Sequence, residues 1–206
     1  MSVCPFLNKL TPSVMQRTYT ALNYPFFTEG DYNVNVFGIR NTENKESNNF
    51  NDCVGIVYKV NDEWRIKKYD ATVDPGVAGR LKPQNRNGTA ILVPGYYKGA
   101  YAVGLHHGKY QALRQVKPMK YWRDNNRDKI LDLSGKQYEE IAYTNIHRAT
   151  AIPGGKSINV DNWSLGCSVI AASNDFDEFM SVINKAKDKW GNSFSYALFT
   201  EDQIKF

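Results

Sequence analysis

Several absences narrow this 206-residue sequence before any motif is read. Cysteine is scarce: Cys4, Cys53 and Cys167 are the only three, an odd number with no CxxC spacing. That argues against a disulfide framework or a cysteine-rich zinc module, and it leaves at least one thiol free. No apolar run reaches the ~20 residues that a membrane-spanning helix needs. Met1 to Leu10 has no apolar stretch of signal-peptide length behind a basic flank, so the chain is expected to be made in the cytoplasm without a signal peptide. Basic residues form no block with interleaved aromatics, and nucleic acid is therefore not an expected partner. Histidine occurs only at 106, 107 and 147, with no HExxH pattern. A metal site built from those three with an aspartate has no signature to support it, and no metal or cofactor is expected. Repeats, low-complexity tracts and linkers are also missing, which points to one domain over residues 1–206, with residues 1–30 as a helical arm packed on it.

What is present reads as mainly β, a β-rich α+β chain. Thr11-Pro12 offers a helix cap followed by proline at the first helical position, and Val14, Met15, Thr18 and Leu22 continue at helical spacing, predicting a short helix over 12–22. Beyond Tyr24-Pro25, short runs rich in Val, Ile, Tyr and Phe predict strands at 33–39, 53–60, 64–71, 89–93, 110–117 and 120–123. Asn61-Asp62 suits a hairpin turn, and Asp74-Pro75-Gly76 another turn. Segments 40–50 and 76–88 are polar enough to be surface loops. Phe176, Phe179, Met180, Ile183, Ala186 and Trp190 share one helical face, with acids in the first turn, lysines in the last and Gly191 as the stop. A final strand is predicted at 194–200. The charge balance, 26 Lys and Arg against 21 Asp and Glu, gives a formal +5 spread along the chain. Such an excess suits an anionic surface such as a cell wall.

The chemistry concentrates in "IHRATAIPGGKSINVDNWSLGCSVI", residues 146–170. His147 ends an apolar run from Ile141 that reads as a strand, and Cys167 opens another at Ser168 to Ala172. Two strands joined by a Gly-containing loop would bring an imidazole to a thiol. Thiolate is the nucleophile in such a pair, and the imidazole draws its proton. Gly166 lets the backbone pass close to a substrate carbonyl, so the N–H groups of Gly166 and Cys167 are candidate oxyanion donors. On spacing alone, a nucleophile with its base and a buried structural pair both remain open.

The pattern "IHRA" followed by "WSLGCSV" resembles the active-site signature of the L,D-transpeptidase (YkuD-type) family, in which a histidine precedes a Ser-x-Gly-Cys element by about twenty residues. The match covers residues 140–172. It implies a single β domain carrying the N-terminal helix and an amphipathic helix after the cysteine. It further implies Cys167 as nucleophile, His147 as general base, Gly166 in the oxyanion hole, and the backbone carbonyl of Arg148 orienting the His147 ring. Ser164 matches the motif's serine and, with Trp163, is a candidate for substrate contact. The family usually carries a histidine where this chain has Leu165, and an arginine or asparagine shortly after the cysteine, where this chain has Ser168 and Val169.

"GLHHGKYQALRQ", residues 104–115, reads as a tight turn entering a strand. His106 there either supplies the polar contact missing at Leu165, as a third substrate-binding candidate, or is an exposed loop histidine. "DNNRDKILD", 124–132, starts like a calcium loop, but Lys129 occupies the glycine position and Gly135 the glutamate position, so a polar hairpin loop is expected. The resulting expectation is a cysteine peptidase acting on the stem peptides of bacterial peptidoglycan through a thioester. Because no export route is read from the sequence, hydrolysis by a lysin such as a bacteriophage endolysin, reaching the wall after release or delivery, is expected over cross-linking. The alternative is a non-catalytic wall-binding or virion structural protein that keeps the fold.

Overall fold

Strand-forming runs of three to twelve residues close into a barrel at the centre of this chain. The computed structural model describes residues 4–43, 45 and 48–206. Eight strands form the barrel: β1 (Asn35–Arg40), β2 (Asp52–Val60), β3 (Glu63–Thr72), β5 (Gly95–His106), β6 (Tyr110–Gln115), β9 (Ile146–Arg148), β10 (Ser168–Ile170) and β11 (Phe194–Thr200). Around the barrel their order is β1-β11-β5-β6-β9-β10-β3-β2. Closure leaves the strand edges paired, which removes the exposed hydrogen-bonding groups of an open sheet. A separate three-stranded sheet joins β4 (Thr89–Leu92), β7 (Met119–Asp124) and β8 (Tyr138–Glu140) in the order β4-β7-β8. The chain is thus mainly β, with α1 (Pro12–Ala21), α2 (Val77–Leu81) and α3 (Ser173–Trp190).

Local chemistry explains the joints. β2 and β3 pair antiparallel over their whole length, and Asn61 and Asp62 turn between them at φ 52° and 63°. Both central residues in the left-handed region is what a tight two-residue hairpin needs, and Asn and Asp tolerate it best. The Thr11 hydroxyl caps α1 by accepting from the Val14 N–H at 3.2 Å. Val14, Met15 and Tyr19 of that helix are buried with Phe37, Ile39, Val57, Ala197 and Phe199, so the N-terminal helix packs on the outside of β1, β2 and β11. α3 places Phe176, Phe179, Met180, Ile183 and Ala186 in the main core against β5, β9 and β10. Each large side chain fully buried there contributes about 1.5–3 kcal/mol.

Several elements differ from the sequence reading. β5, the longest strand, has no predicted counterpart, because Gly95, Gly99 and Gly104 punctuate it like turns; Gly99 does depart locally, at φ 59°. β8 is likewise unpredicted. α2 lies inside the supposed loop 76–88, and its Arg80 is fully buried. Arg40, placed in the loop 40–50, is also buried, donating to Asp74 Oδ1 from Nε at 2.9 Å and to the Leu92 carbonyl from Nη2 at 2.9 Å. Asn44, Glu46 and Ser47 of that loop lie outside the described residues, as do Met1 to Val3 of the expected arm. Asp124, taken as the start of an exposed polar loop, is the buried last residue of β7. The predicted strand 141–146 is mostly irregular: β9 begins only at Ile146, and His147 sits at its centre and not its end.

Candidate active site

Two very short strands set the site. β9 and β10 run parallel, with Ser168 opposite Ile146 and Val169 opposite His147. Side chains alternate across a strand. Ile146 and Ile170 therefore enter the main core, whereas Val169, Ala149 and Ala171 face the other way, into a small cluster with Phe50 and Val160 against which Cys167 packs. His147 and Asn145 share that outer side with Cys167. The proximity expected of the two strands is realised, although the connecting loop spans residues 149–167.

Hydrogen bonds fix the proton positions. His147 Nδ1 is 2.9 Å from the Arg148 carbonyl oxygen. A carbonyl only accepts, so Nδ1 carries the hydrogen and Nε2 keeps its lone pair. This is the orientation that the resemblance assigns to the Arg148 backbone. Asn145 is the residue that sequence reasoning missed. Its N–H donates to Cys167 Sγ at 3.3 Å, its Oδ1 accepts from the Gln115 N–H at 3.0 Å, and its Nδ2 lies 3.0 Å from His106 Nδ1. Because Oδ1 is committed to a donor, the group facing His106 is the amide N–H, and His106 Nδ1 is the acceptor. His106 then holds its hydrogen on Nε2. The two imidazoles stack, centroids 4.2 Å apart and planes 19° apart.

Both rings and the thiol are neutral at rest. Burial lowers His147 to about 4, a further push coming from His107 and the Arg148 hydrogen bond acting the other way. Burial, then the neighbouring His147, lowers His106 to about 3. Burial raises the Cys167 thiol to about 11, partly offset by the Asn145 N–H. The thiol's other contact is a long one to the Tyr143 carbonyl at 3.9 Å. Neither imidazole is a hydrogen-bond partner of the thiol among the described residues. An ion pair of thiolate and imidazolium is therefore not the resting state, and proton transfer would have to accompany attack on a substrate.

The turn before Cys167 is built by glycine and serine. Gly166 sits at φ 117°, and a Cβ built on it would lie 2.5 Å from the Ala90 carbonyl oxygen, so only glycine fits. Its N–H donates to Ser164 Oγ at 3.1 Å, while Ser164 Oγ donates to the Cys167 carbonyl at 2.8 Å. Two assignments change accordingly. Ser164 is fully buried with its hydroxyl engaged in the turn, so it shapes the loop and does not meet substrate. The Gly166 N–H is occupied, so its glycine contributes backbone shape, whereas the Cys167 N–H has no hydrogen bond among the described residues.

The site opens into a cleft of about 1060 Å³. Its lining includes the basic side chains Lys109, Arg114, Arg123 and Arg148, the rings of Tyr110, Tyr143 and Trp163, both His106 and His107, Leu165 and Glu140. Arg123 donates from Nε and Nη2 to Glu140 Oε1 at 3.0 and 2.7 Å. The Arg148 guanidinium stacks 4.3 Å from the Tyr110 ring centre. Trp163 lines the cleft and is partly exposed. His106 is buried and not an exposed loop histidine; its ring lies against His147. Tyr143, the most exposed aromatic of the cleft, adopts φ 58°, a conformation that costs a non-glycine residue energy and recurs at functional sites. Only the period-two spacing of Asn145 from His147 could have flagged Asn145 in the sequence. Gln115 and Tyr143 gave no signal. No group of three metal-ligating side chains gathers among the described residues. No protein family, curated protein or solved structure matches the chain.

Proposed function

We propose that this chain is a cysteine enzyme that cleaves peptidoglycan stem peptides through a thioester. One observation carries the reading: His147 on β9 and Cys167, just before the parallel neighbour β10, both line one cleft, with His147 Nε2 left as the free lone pair. In the acylation step Cys167 Sγ bonds to the substrate carbonyl carbon as its proton passes to His147 Nε2. The carbonyl oxygen takes up the negative charge and accepts from the Cys167 N–H. Collapse breaks the C–N bond, and His147 returns the proton to the departing amine. Water then resolves the thioester, with His147 again as base. Trp163 and Tyr143 offer apolar rings to the substrate chain, and Lys109, Arg114 and Arg148 in the lining suit its carboxylates.

The substrate class rests on the likeness of residues 140–172 to L,D-transpeptidases, and a bacteriophage endolysin or similar lysin is the hydrolytic form of that reading. Incubating the protein with purified sacculi and identifying the products by mass spectrometry tests the reading. New stem-peptide termini are expected from the parent chain and none from Cys167→Ala. Identical products from both, or none from the parent, would overturn it, and newly formed cross-links would convert the peptidase into a transpeptidase.

The neutral, proton-bearing thiol and Leu165 favour one rival, a wall-binding or virion structural protein without chemistry. That protein would bind sacculi and leave them chemically unchanged.

A further inference from the structure

Resting on the cysteine-enzyme reading, we propose that Asn145 and His106 are positioning residues that let the stacked pair of neutral imidazoles take up one added proton, on His147 and not on His106. The base must become an imidazolium when it takes the Cys167 proton. A second imidazole stacked 4.2 Å away could compete for that proton or oppose the charge. The hydrogen-bond chain from Gln115 through Asn145 to His106 removes both difficulties.

The Gln115 N–H fixes Asn145 Oδ1 as an acceptor, which turns the Asn145 amide N–H toward His106 Nδ1. That bond exists only while Nδ1 is unprotonated, because an imidazolium has no acceptor nitrogen. Protonating His106 would set two donors against each other in a buried place, so the amide penalises the charged ring. Its neutral π face is then available to the imidazolium that forms on His147, a favourable arrangement for a cation over a ring. Asn145 also gives its backbone N–H to the Cys167 sulfur, so one residue holds the nucleophile and selects which ring is the base. The charged and titratable groups around the two rings are His107 in the β5–β6 turn, Tyr110 and Arg114 on β6, Arg148 on β9 and Cys167 before β10. None is a carboxylate, so nothing in that shell rewards a proton on His106. The arrangement does not require the histidine that Leu165 replaces.

Nitrogen-15 NMR of the imidazoles in the full chain reads this directly, without any substrate. His147 is expected as the Nδ1–H tautomer and His106 as the Nε2–H tautomer. In Asn145→Asp one carboxylate oxygen keeps the Gln115 N–H and the other accepts from His106, so His106 should change to Nδ1–H and titrate at higher pH. Turnover of sacculi should then fall at least about tenfold in kcat, part of the range general-base assistance supplies, with KM little changed. The double variant Asn145→Asp/His106→Phe, which keeps a stacked ring but removes the competing nitrogen, should recover part of the kcat that Asn145→Asp loses. A His106 tautomer that is Nδ1–H in the parent chain, or unchanged in Asn145→Asp, would overturn the proposal. Equal kcat for Asn145→Asp and parent would overturn it too. Correct tautomers without action on sacculi would instead sink the enzymatic reading and leave the imidazole arrangement standing.

Discussion

The Cys167 thiol and the His147 imidazole line one cleft, yet each is hydrogen-bonded to backbone and not to the other. His147 donates to a carbonyl and keeps its reactive nitrogen open; Cys167 accepts an N–H and keeps its proton. Under the proposed function, the proton of Cys167 would have to pass to His147 as the substrate is attacked.

Alkylation kinetics test that resting state. With the thiol raised to about 11, the rate of Cys167 modification by iodoacetamide should climb about tenfold per pH unit through the neutral range, following the thiolate fraction. A plateau between pH 5 and 9, located to Cys167 by peptide mapping, would reveal an ion pair and contradict the reading. Cys4 and Cys53 are buried and should label only on unfolding.

Gly166→Ala should damage the site and the fold together. The substitution forces a Cβ against the Ala90 carbonyl at a left-handed φ, and strain of this kind costs about 1–3 kcal/mol. A drop in the urea midpoint with loss of turnover is expected. Gly154→Ala is the contrast: its φ is also positive, at 70°, but no atom lies within 4 Å of the new methyl, so only the milder conformational cost should appear.

The Arg40–Asp74 ion pair, both side chains 1% exposed, should behave as a buried unit. Asp74→Ala leaves a guanidinium without its counter-ion and should cost about 3–5 kcal/mol. The double variant Arg40→Met/Asp74→Leu should recover much of that loss in equilibrium unfolding, because neither member of the pair is left buried without the other. Losses that simply add would show that the two residues do not act together.

Asp124 should give stability a specific pH dependence. Burial lifts its carboxyl from an ordinary value near 3.8 to about 6 in the folded chain. Between those values the folded protein holds a proton that the unfolded chain has released. This carboxyl's contribution is therefore full below about pH 4 and is lost as pH rises through 6, a change of roughly 2–3 kcal/mol. Asp124→Asn should flatten that part of the curve. Parallel pH profiles for parent and variant would refute the assignment.

Much of the architecture is legible locally. The Asn61-Asp62 turn, the capped helix at Pro12 and the apolar stripe of α3 are written in neighbouring residues, where backbone preference and side-chain period act directly. β5 escaped because its glycines look like turns until strands on both sides supply the pairing that holds it straight. Arg40, Arg80 and Asp124 read as surface residues, since a charge declares its burial only through what the rest of the chain places around it.

The sequence by itself determined that this is a mainly β chain with a histidine and a cysteine on segments able to pair, and it named the glycine on which the cysteine's turn depends. Only the tertiary structure decided which atoms are free. Ser164 closed off the Gly166 N–H, Arg148 turned His147 by its backbone, and a hairpin forty residues upstream carried His106 onto the base. Hydrogen bonds assign protons through pairs of groups that meet in space, and parallel pairing of β9 with β10, together with barrel closure, brings those groups together from positions whose separation no local pattern records.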